Sequence, residues 1–379
     1  MQLSYWEQES IFNNVDVVVI GSGIVGLNAA LNLKIKNTKL KIVILERGVL
    51  PYGASTRNAG VACFGSVSEL LDDLTRHSEE EVFSLVVKRW NGLKRLRENL
   101  GDATINYEPF GGYELFSENE NELYEKCSEK LGYFNKHLSE IIGTYSIYKS
   151  VDSKIEKFGF KGIKYLIENV AEGQLDTGKM MLALLKKVRA LDVIVLNGMN
   201  VKSFNDTATG VEIICENGIE IKAARMLIAT NGFAKGLVPE LDVFPARAQV
   251  LITSPIKNLK IKGSFHFDKG YYYFRNVGDR LLFGGGRNLD FKTEETTEFG
   301  LTELVQNRLE ELLKNVILPN TKYEIDQRWS GIMGLGNKKT IIMKPVSENV
   351  FCAVRMGGMG VAIGSLVGED AAEMIINLL

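Results

Sequence analysis

The sequence predicts an α/β protein in which a parallel sheet is assembled from separated segments of the chain, with an antiparallel sheet and its helices (α+β) inserted between them. Three observations predict this arrangement. Two short runs of β-branched residues near the N-terminus flank a glycine-rich turn and a segment of helical spacing. Comparable apolar runs return near residues 193, 226 and 350. Between them lie aromatic-rich runs of the kind that form antiparallel strands.

The N-terminal segment has the pattern of a β-α-β unit. Residues 17–20 form a continuous β-branched run, which is typical of a strand buried on both faces of a parallel sheet. Residues 24–34 then show helical spacing, and residues 41–46 have the pattern of a second buried strand. The first 46 residues therefore predict one β-α-β unit of ordinary size.

The remaining elements follow in chain order. Ser78 with Glu81, and Ser117 with Glu120, have the spacing of capping boxes, so each pair predicts the start of a helix. The strands of the antiparallel sheet are predicted at residues 112–116, 249–253, 271–274 and 280–283. Further strands of the first sheet are predicted at residues 193–196, 226–230 and 350–354. Helices are predicted at residues 180–189, 301–313 and 361–378.

A glycine motif joins the first predicted strand to the first predicted helix. Residues 21–26 have the sequence Gly-Ser-Gly-Ile-Val-Gly, which fits G-x-G-x-x-G in the required context. The first glycine permits a tight turn, the second lets the backbone approach a pyrophosphate, and the third allows close packing of helix on strand. Amide groups at the start of the helix then bind the phosphates. The predicted contacts are Gly21, Gly23, Ile24, Val25 and Gly26.

An acidic residue completes this pattern. Glu46 ends the second strand about twenty residues after Gly26, where its carboxylate can accept hydrogen bonds from ribose hydroxyl groups. The same carboxylate would repel a 2′-phosphate, which disfavours NADP. We therefore predict a Rossmann-like dinucleotide-binding domain over residues 1–80, 165–240 and 325–379. The inserted substrate domain is predicted over residues 81–164 and 241–324.

Composition and charge exclude several classes of function. With 45 basic and 47 acidic side chains the formal net charge is −2, which argues against nucleic acid as a partner. Three histidines, and four cysteines without a C-x-x-C pair, predict neither a metal site nor a disulfide framework. Residues 1–14 lack the pattern of a secretion signal, and no uninterrupted apolar stretch has the length of a membrane span. We therefore expect a cytoplasmic protein with reduced thiols.

A second loop carries the resemblance to a known family. Residues 53–60 have the sequence Gly-Ala-Ser-Thr-Arg-Asn-Ala-Gly and follow Leu-Glu-Arg-Gly at residues 45–48. With the glycine motif, these segments resemble the FAD-dependent oxidoreductases of the D-amino-acid oxidase, glycine oxidase and sarcosine oxidase superfamily. In that family the loop runs past the pyrophosphate toward the flavin ring. The resemblance implies FAD as cofactor, with contacts at Arg47, Ser55, Thr56, Asn58, Ala59 and Gly60.

Further segments resemble the family in the same order along the chain. The first is Val201, which follows a short strand at the position where the family contacts adenine. The others are a strand end with the sequence Ala-Thr-Asn-Gly at residues 229–232, a Trp-x-Gly turn at residues 329–331, and a Gly-Gly-Met-Gly-Val turn at residues 357–361 before the final helix. The hairpin at residues 273–285 is most similar to the amine-oxidising branch that includes γ-glutamylputrescine oxidase. The implied FAD contacts are Val201, Thr230, Asn231, Gly232, Gly331, Gly357, Gly358, Met359, Gly360 and Val361.

The final turn also has a physical role that does not depend on the family. Reduced flavin is negatively charged along its N1–C2=O edge, and a helix that starts near Gly360 would direct its amide groups there. Such a helix terminus contributes roughly 0.3–1 kcal/mol, and about 2 kcal/mol when it is partly buried. Gly358 and Gly360 would allow the close approach.

The positions that would bind the substrate depart from the family pattern. Relatives that act on amino acids often carry an arginine two residues after the Trp-x-Gly turn, where this chain has Met333. The oxygen-activating lysine of the sarcosine-oxidase branch would fall near Leu282. An arginine suits a carboxylate because its planar guanidinium bonds both oxygens. Candidates for anchoring a polar substrate are Arg57, Arg275, Arg287, Arg355, Tyr271 and Tyr273, from which we select Arg57, Arg275 and Tyr273 as the orienting residues.

These features predict an FAD-containing oxidoreductase acting on a small molecule. The cofactor supplies the difficult chemistry and the protein orients the substrate. The expected reaction is hydride transfer from a C–N bond of a small amine or amino-acid derivative to flavin N5, with O2 or another acceptor reoxidising the flavin. Three alternatives remain open: FAD-dependent oxidation of a 2-hydroxy acid or polyol, a nicotinamide-dependent dehydrogenase, and a non-catalytic nucleotide-binding protein.

Overall fold

The computed structural model describes residues 3–378 of the 379-residue chain. The α-helices in this range are α1 Tyr5–Glu7, α2 Ile24–Lys36, α3 Ala54–Arg57, α4 Val67–Leu74, α5 Glu79–Leu100, α6 Asn121–Ile142, α7 Ile155–Phe158, α8 Thr177–Arg189, α9 Glu303–Leu312 and α10 Gly360–Ile376. The strands are β1 Val15–Ile20, β2 Ile42–Glu46, β3 Val61–Ala62, β4 Gly112–Ser117, β5 Tyr148–Ser150, β6 Ile163–Asn169, β7 Gly173–Gln174, β8 Ile194–Asn197, β9 Val201–Thr207, β10 Gly210–Cys215, β11 Glu220–Ile228, β12 Phe244–Thr253, β13 Ser264–Phe267, β14 Tyr272–Val277, β15 Arg280–Gly285, β16 Ile325–Leu335, β17 Ile342–Pro345 and β18 Val350–Val354.

The first sheet has a parallel centre with strands in the order β18-β11-β1-β2-β8. Strand β17 pairs with β18 in antiparallel orientation, and β9 and β10 extend from β11 as an antiparallel pair. Every residue of β2 and of β18 is buried, as their continuous apolar runs predict. The predicted α/β fold is therefore confirmed, with its central sheet built from widely separated parts of the chain.

Helices cover one face of this sheet. Val17 and Val19 of β1 face the core that contains α2, α5, α8 and α10, whereas Val18 and Ile20 face the opposite core. Helix α10 packs closely on α2 because two of its glycines lie in the contact. A Cβ atom at Gly364 would lie 2.6 Å from the side chain of Ile24, and one at Gly368 would lie 2.7 Å from the carbonyl oxygen of Val25. This contact joins the last helix of the fold to the helix that follows the glycine motif.

The second sheet has eight strands in the order β16-β12-β15-β14-β13-β4-β6-β5. Neighbouring strands are antiparallel except for β4 and β13, which are parallel. The prediction of an antiparallel sheet is thus right for every pair but one. The core of this sheet contains stacked aromatic rings, among them Phe265 and Phe274 with centroids 4.8 Å apart, and α9 packs on it.

The segment around Trp329 differs from its prediction. The family resemblance implies a turn at residues 328–331, but these residues lie in the middle of β16. Ser330 pairs with Gln249 and Gly331 with Ala248, so the hydrogen-bonded ladder continues across the glycine. Glycine does not end a strand when the backbone pairing on both sides is intact.

The predicted domain boundaries stay a proposal. Strands β6 and β16 lie in the second sheet, although the predicted division assigns residues 165–240 and 325–379 to the dinucleotide-binding domain. Residues 1, 2 and 379, which that division includes, lie outside the described residues. Between residues 3 and 378, no helix combines the length and the apolar character that crossing a membrane would need.

Candidate active site

The glycine motif forms the junction between β1 and α2. Gly21 has a φ of +103°, and a Cβ atom at Gly26 would lie 2.0 Å from the carbonyl oxygen of Gly21. Both positions therefore require glycine. Helix α2 starts at Ile24. Its N-cap residue is Gly23, which has no side chain that could cap the helix. The N–H of Ile24 donates to Oγ of Ser55 at 2.9 Å, so the motif and the second loop are in direct contact.

Glu46 is buried at the end of β2. One of its carboxylate oxygens accepts hydrogen bonds from Ser22, from the N–H at 3.1 Å and from Oγ at 2.7 Å, and the other accepts from the N–H of Gly48 at 3.1 Å. The N–H of Met199 donates to the carbonyl oxygen of Glu46 at 2.8 Å. This bond brings the start of β9, and with it Val201, to the same edge of the sheet.

The loop at residues 53–60 is held in shape by its own side chains. Nδ2 of Asn58 donates to the carbonyl oxygen of Ser55 at 2.9 Å, and its Oδ1 accepts from the N–H of Gly60 at 2.8 Å and from Oγ1 of Thr177 at 2.9 Å. The hydroxyl of Thr56 donates to the carbonyl oxygens of Gly53 and of Pro51, just before the loop. Asn58 and Thr56 therefore stabilise the loop, and their contact with FAD stays a prediction.

Arg275 joins the second sheet to this loop. Its buried guanidinium donates from Nε to the carbonyl oxygen of Ala59 and from Nη2 to that of Leu175, the latter at 2.9 Å. Burial lowers the pKa of Arg275 to about 10, so the side chain remains charged at neutral pH. The guanidinium is committed to two backbone carbonyls, and its predicted contact with the substrate stays a prediction.

Arg57 of the loop contacts two aromatic rings and strand β16. Its guanidinium carbon is 5.1 Å from the ring centroid of Tyr52 and 4.6 Å from that of Phe299. Nη1 donates to the carbonyl oxygen of Ser330 at 2.9 Å, and the carbonyl oxygen of Arg57 accepts from Nε1 of Trp329 at 3.0 Å. These contacts attach β16, including the predicted contact Gly331, to the loop.

The other arginines identified from the sequence contact different parts of the chain. Arg47 stacks over Phe233 with 3.7 Å between the guanidinium carbon and the ring centroid. Arg355 donates to a carboxylate oxygen of Asp242 at 2.6 Å. Arg287 stacks over a phenylalanine ring at 4.6 Å and lines an open surface cavity. The structure therefore does not bring the four candidate arginines together around one point.

Tyr273 projects from β14 toward the loop. It packs in a small apolar cluster with Ala59, Leu282 and Trp329. Its ring lies across Gly284, where a Cβ atom would be 2.9 Å from the phenol oxygen. Burial raises the pKa of Tyr273 to about 12, so its hydroxyl stays protonated at neutral pH. The predicted substrate residue and the predicted flavin loop are thus adjacent.

The strand end after β11 contacts the final turn. Asn231 has a φ of +47°, and its Oδ1 accepts from the N–H of Met356 at 3.0 Å. A Cβ atom at Gly232 would lie 2.4 Å from the carbonyl oxygen of Met333, so a side chain is excluded there. Asn231 therefore ties the end of β11 to the turn that precedes α10.

The final turn leaves the start of α10 open. Gly357 has a φ of +57°, and no described atom lies within 4 Å of a Cβ atom placed at Gly358. Helix α10 begins at Gly360, and Met359 provides no side-chain cap. Val361 lies in the first turn of the helix. The predicted dipole arrangement requires this geometry.

The residues present fit a flavin dinucleotide. Oγ1 of Thr230 is buried and has no hydrogen-bond partner among residues 3–378. The Cα atom of Thr230 would lie 3.8 Å from a Cβ atom at Gly21, so this hydroxyl belongs to the same region as the glycine motif. The N-cap residues of α2 and α10 also contribute no capping side chain. A ligand rich in phosphate and carbonyl oxygens would satisfy such groups.

Two charged residues next to this region are missed by the sequence analysis. Arg89 is buried in α5, where it donates to the carbonyl oxygen of Phe64 at 3.0 Å and contacts Sδ of Met359. Its position three residues after Val86 places it on the apolar face of the predicted helix, which is a signal of a buried charge. Glu172 is buried beside the loop that follows Gly60, and no local pattern marks it.

Comparisons with known proteins give a consistent result. A protein family described as FAD dependent oxidoreductase (DAO) matches residues 16–374. The chain is 23% identical to the probable oxidoreductase OrdL of Haemophilus influenzae, covering 96% of this chain and 83% of OrdL. The fold is similar to that of glycine oxidase from Geobacillus kaustophilus, with a TM-score of 0.77, 18% identity, and coverage of 96% of this chain and 95% of that one. It is also similar to L-proline dehydrogenase from P. horikoshii, with a TM-score of 0.75, 17% identity, and coverage of 96% and 94%.

Proposed function

The chain belongs to the DAO family of FAD-dependent oxidoreductases, and on that premise we propose that it oxidises a C–N bond of a small amine or amino-acid derivative. Hydride would pass to flavin N5, and the resulting imine would hydrolyse. Family membership confirms the expected FAD dependence and the oxidoreductase class. Family membership also favours an FAD-dependent oxidoreductase over a nicotinamide-dependent dehydrogenase and over a non-catalytic nucleotide-binding protein.

One observation carries the proposal: the substrate-side residue Tyr273 and the loop residue Ala59 lie in a single apolar cluster. Arg275 fixes the carbonyl oxygen of Ala59 from the same strand. The second sheet therefore lies against the loop that the family resemblance assigns to the flavin. The similarity in fold to proteins named glycine oxidase and L-proline dehydrogenase supports a nitrogen compound as the substrate.

The residues of the chain have separate roles in this proposal. Bound FAD supplies the hydride-accepting ring. Glu46 would accept hydrogen bonds from the ribose, and the N-terminal amides of α2 would bind the pyrophosphate. The N-terminus of α10 favours negative charge beside the final turn. The protonated hydroxyl of Tyr273 can donate a hydrogen bond that orients the substrate.

The arginines favour a substrate that does not depend on a carboxylate clamp. Met333 occupies the position where relatives often carry an arginine, and Arg275 and Arg355 already bond protein groups. Arg57, a residue of the loop itself, also bonds a protein carbonyl, through Nη1. O2 or another molecule would accept the electrons. We place the reaction in the cytoplasm because all four cysteines are free thiols.

The test is the spectrum of the purified protein, followed by anaerobic reduction. Flavin absorption that bleaches with amines or amino-acid derivatives, and not with 2-hydroxy acids or polyols, is the expected result. Bleaching by hydroxy acids or polyols alone would refute C–N oxidation while keeping the family chemistry. A Tyr273→Phe variant, which keeps the ring and removes the hydroxyl, should bleach more slowly at the same flavin content.

A further inference from the structure

A small cavity with several polar residues around it lies between the start of α4 and strands β4, β5, β6 and β13. Its polar lining residues are Ser66, Glu114, Tyr148, Asn169, Glu172 and His266. The free space accommodates about one water molecule. None of these residues has a role in the oxidation proposed above.

Three of the lining side chains are buried polar groups. Glu114, Asn169 and Glu172 are only 4%, 4% and 3% exposed. Glu114 accepts from the N–H of Ser68 at 3.2 Å and from its hydroxyl. Asn169 accepts from a backbone N–H through Oδ1, but its Nδ2 has no acceptor in the described chain. An unused buried donor on a residue that lines a cavity of this size indicates that a ligand with a lone pair, such as water, belongs there.

Two backbone N–H groups hold the carboxyl of Glu172 in position. Oε1 accepts from the N–H of Phe64 at 3.0 Å and from that of Gly65 at 3.3 Å. A Cβ atom at Gly112 would lie 1.9 Å from Oε2, so the glycine makes room for this oxygen. The two backbone donors belong to the segment directly after β3.

The two carboxyls have no cationic partner of their own. Within residues 3–378, neither Glu114 nor Glu172 forms an ion pair, and the neighbouring Arg89 is paired with Glu69 at 3.1 Å. Lys339 is likewise shared between Glu69 and an aspartate. Burying a carboxylate without a partner is costly, so the protonated form is favoured instead.

The environment makes both carboxyls titrate near neutral pH. Burial raises the pKa of Glu172 to about 8 and that of Glu114 to about 7. Glu69 adds to both shifts, while Arg89 and the backbone donors oppose the shift of Glu172. The other ionisable groups that face the cavity region are Cys63, Tyr148 and His266. Burial raises the pKa of the first two and lowers that of His266 to about 4, so all three are uncharged at pH 7.

The cavity is one strand away from the predicted flavin loop. Glu172 directly precedes β7, in which Gly173 pairs with Ala62 of β3. Further along the same segment, the N–H of Leu175 donates to the carbonyl oxygen of Gly60 at 2.8 Å. The backbone of the loop and the residue that carries the carboxyl are therefore held in fixed relation.

We propose that Glu114 and Glu172, with a water molecule held by Asn169, form the proton acceptor for the substrate's ammonium group. The inference rests on the proposed function, because it applies to amine substrates. Amines carry a proton at neutral pH, with a pKa of about 10.4 for a lysine-like group, and nitrogen needs a free electron pair before hydride can leave the adjacent carbon. The N–H bond breaks with its electron pair remaining on nitrogen. The water accepts this proton and donates another to a carboxylate, on which an O–H bond forms.

The test compares Glu172→Gln and Glu114→Gln with Glu168→Gln in the FAD-loaded protein. Glutamine keeps an oxygen that can accept from Phe64, and Glu168 is a matched control on β6 whose carboxylate is paired with two lysines. The first readout is the infrared band of protonated carboxyl groups, followed against pH without substrate. We expect a band that disappears on titration from pH 6 to about pH 9 in the parent protein, and a smaller change in each cavity variant.

The second readout is the pH profile of kcat/KM with an amine. In the parent protein kcat/KM should rise with pH through the titration of the cavity carboxyls. In Glu172→Gln it should be about 100-fold lower near pH 8 and approach the parent value at high pH, where the amine is already neutral. An unchanged profile and an unchanged infrared titration in both cavity variants would overturn the proton-acceptor role alone. Absence of amine oxidation by the parent protein would refute the proposed function and this role with it.

Discussion

Replacing Glu172 with glutamine should change how the stability of the protein depends on pH. The folded-state pKa is about 8, against an ordinary value of 4.5, because the carboxyl is buried. Between these two values the folded protein keeps a proton that the unfolded chain has released, so the free energy of unfolding falls as pH rises. The difference of about 3.5 pKa units, at about 1.4 kcal/mol each, gives a limit of about 5 kcal/mol above pH 8. Glutamine does not ionise, so the variant does not lose this part of its free energy of unfolding as pH rises.

The assay is urea unfolding of the parent protein and the variant at pH 5, 7 and 9. The free energy of unfolding of the variant, minus that of the parent protein, should increase with each step to higher pH. Glu168→Gln is the opposite control: burial would raise the pKa of Glu168, but Lys154 and Tyr113 outweigh it and hold that pKa below its ordinary value. The ionised carboxylate of Glu168 therefore stabilises the folded protein above pH 4.5, and this stabilisation is lost in acid. A Glu172→Gln difference that is the same at pH 5 and pH 9 would refute the reasoning.

Three further predictions concern the cofactor region. Glu46→Ala should weaken FAD about tenfold or more, measured by flavin fluorescence on dilution, because it removes the acceptor for the ribose; unchanged retention would contradict that placement. Gly26→Ala should lower Tm and FAD content because its Cβ would collide with Gly21, whereas Gly132→Ala, with open space around its Cβ, should leave both unchanged or raise Tm slightly. Arg275→Lys should reduce FAD content because lysine cannot reproduce the fork to two carbonyls; full FAD occupancy would argue that loop support is not its role.

The elements that depend on local sequence were predicted well. The strand at Val15–Ile20, the helix that follows it and the capping box at Ser78 are set by residues close together in the chain. Periodicity and capping chemistry act over a few residues, so a single sequence contains enough information to place them. The glycine motif belongs to the same class, since the close contact at Gly26 is with a residue five positions away.

The features that depend on distant partners could not be predicted in the same way. Strand β16 is set by its ladder with β12, about 80 residues earlier, and the Trp-x-Gly sequence gave no sign of that pairing. Glu172 bonds backbone groups 107 and 108 residues away, and its burial follows from tertiary packing alone. The contacts of Arg275 and Arg57 with backbone carbonyls likewise span 100 residues or more, so the sequence identified charged candidates without showing that their donors are already in use.

The packing of α10 on α2 has a consequence for how the protein is made. More than 300 residues separate the end of α2 at Lys36 from the start of α10 at Gly360. At translation rates of about 5–20 residues per second, the N-terminal β-α-β unit waits on the order of 15–65 seconds on the ribosome before its covering helix emerges. During that interval the apolar side of α2 is available to chaperones. The sheet that contains the glycine motif is therefore completed only after every strand of the second sheet has been synthesised, although its strand β1 precedes all of them.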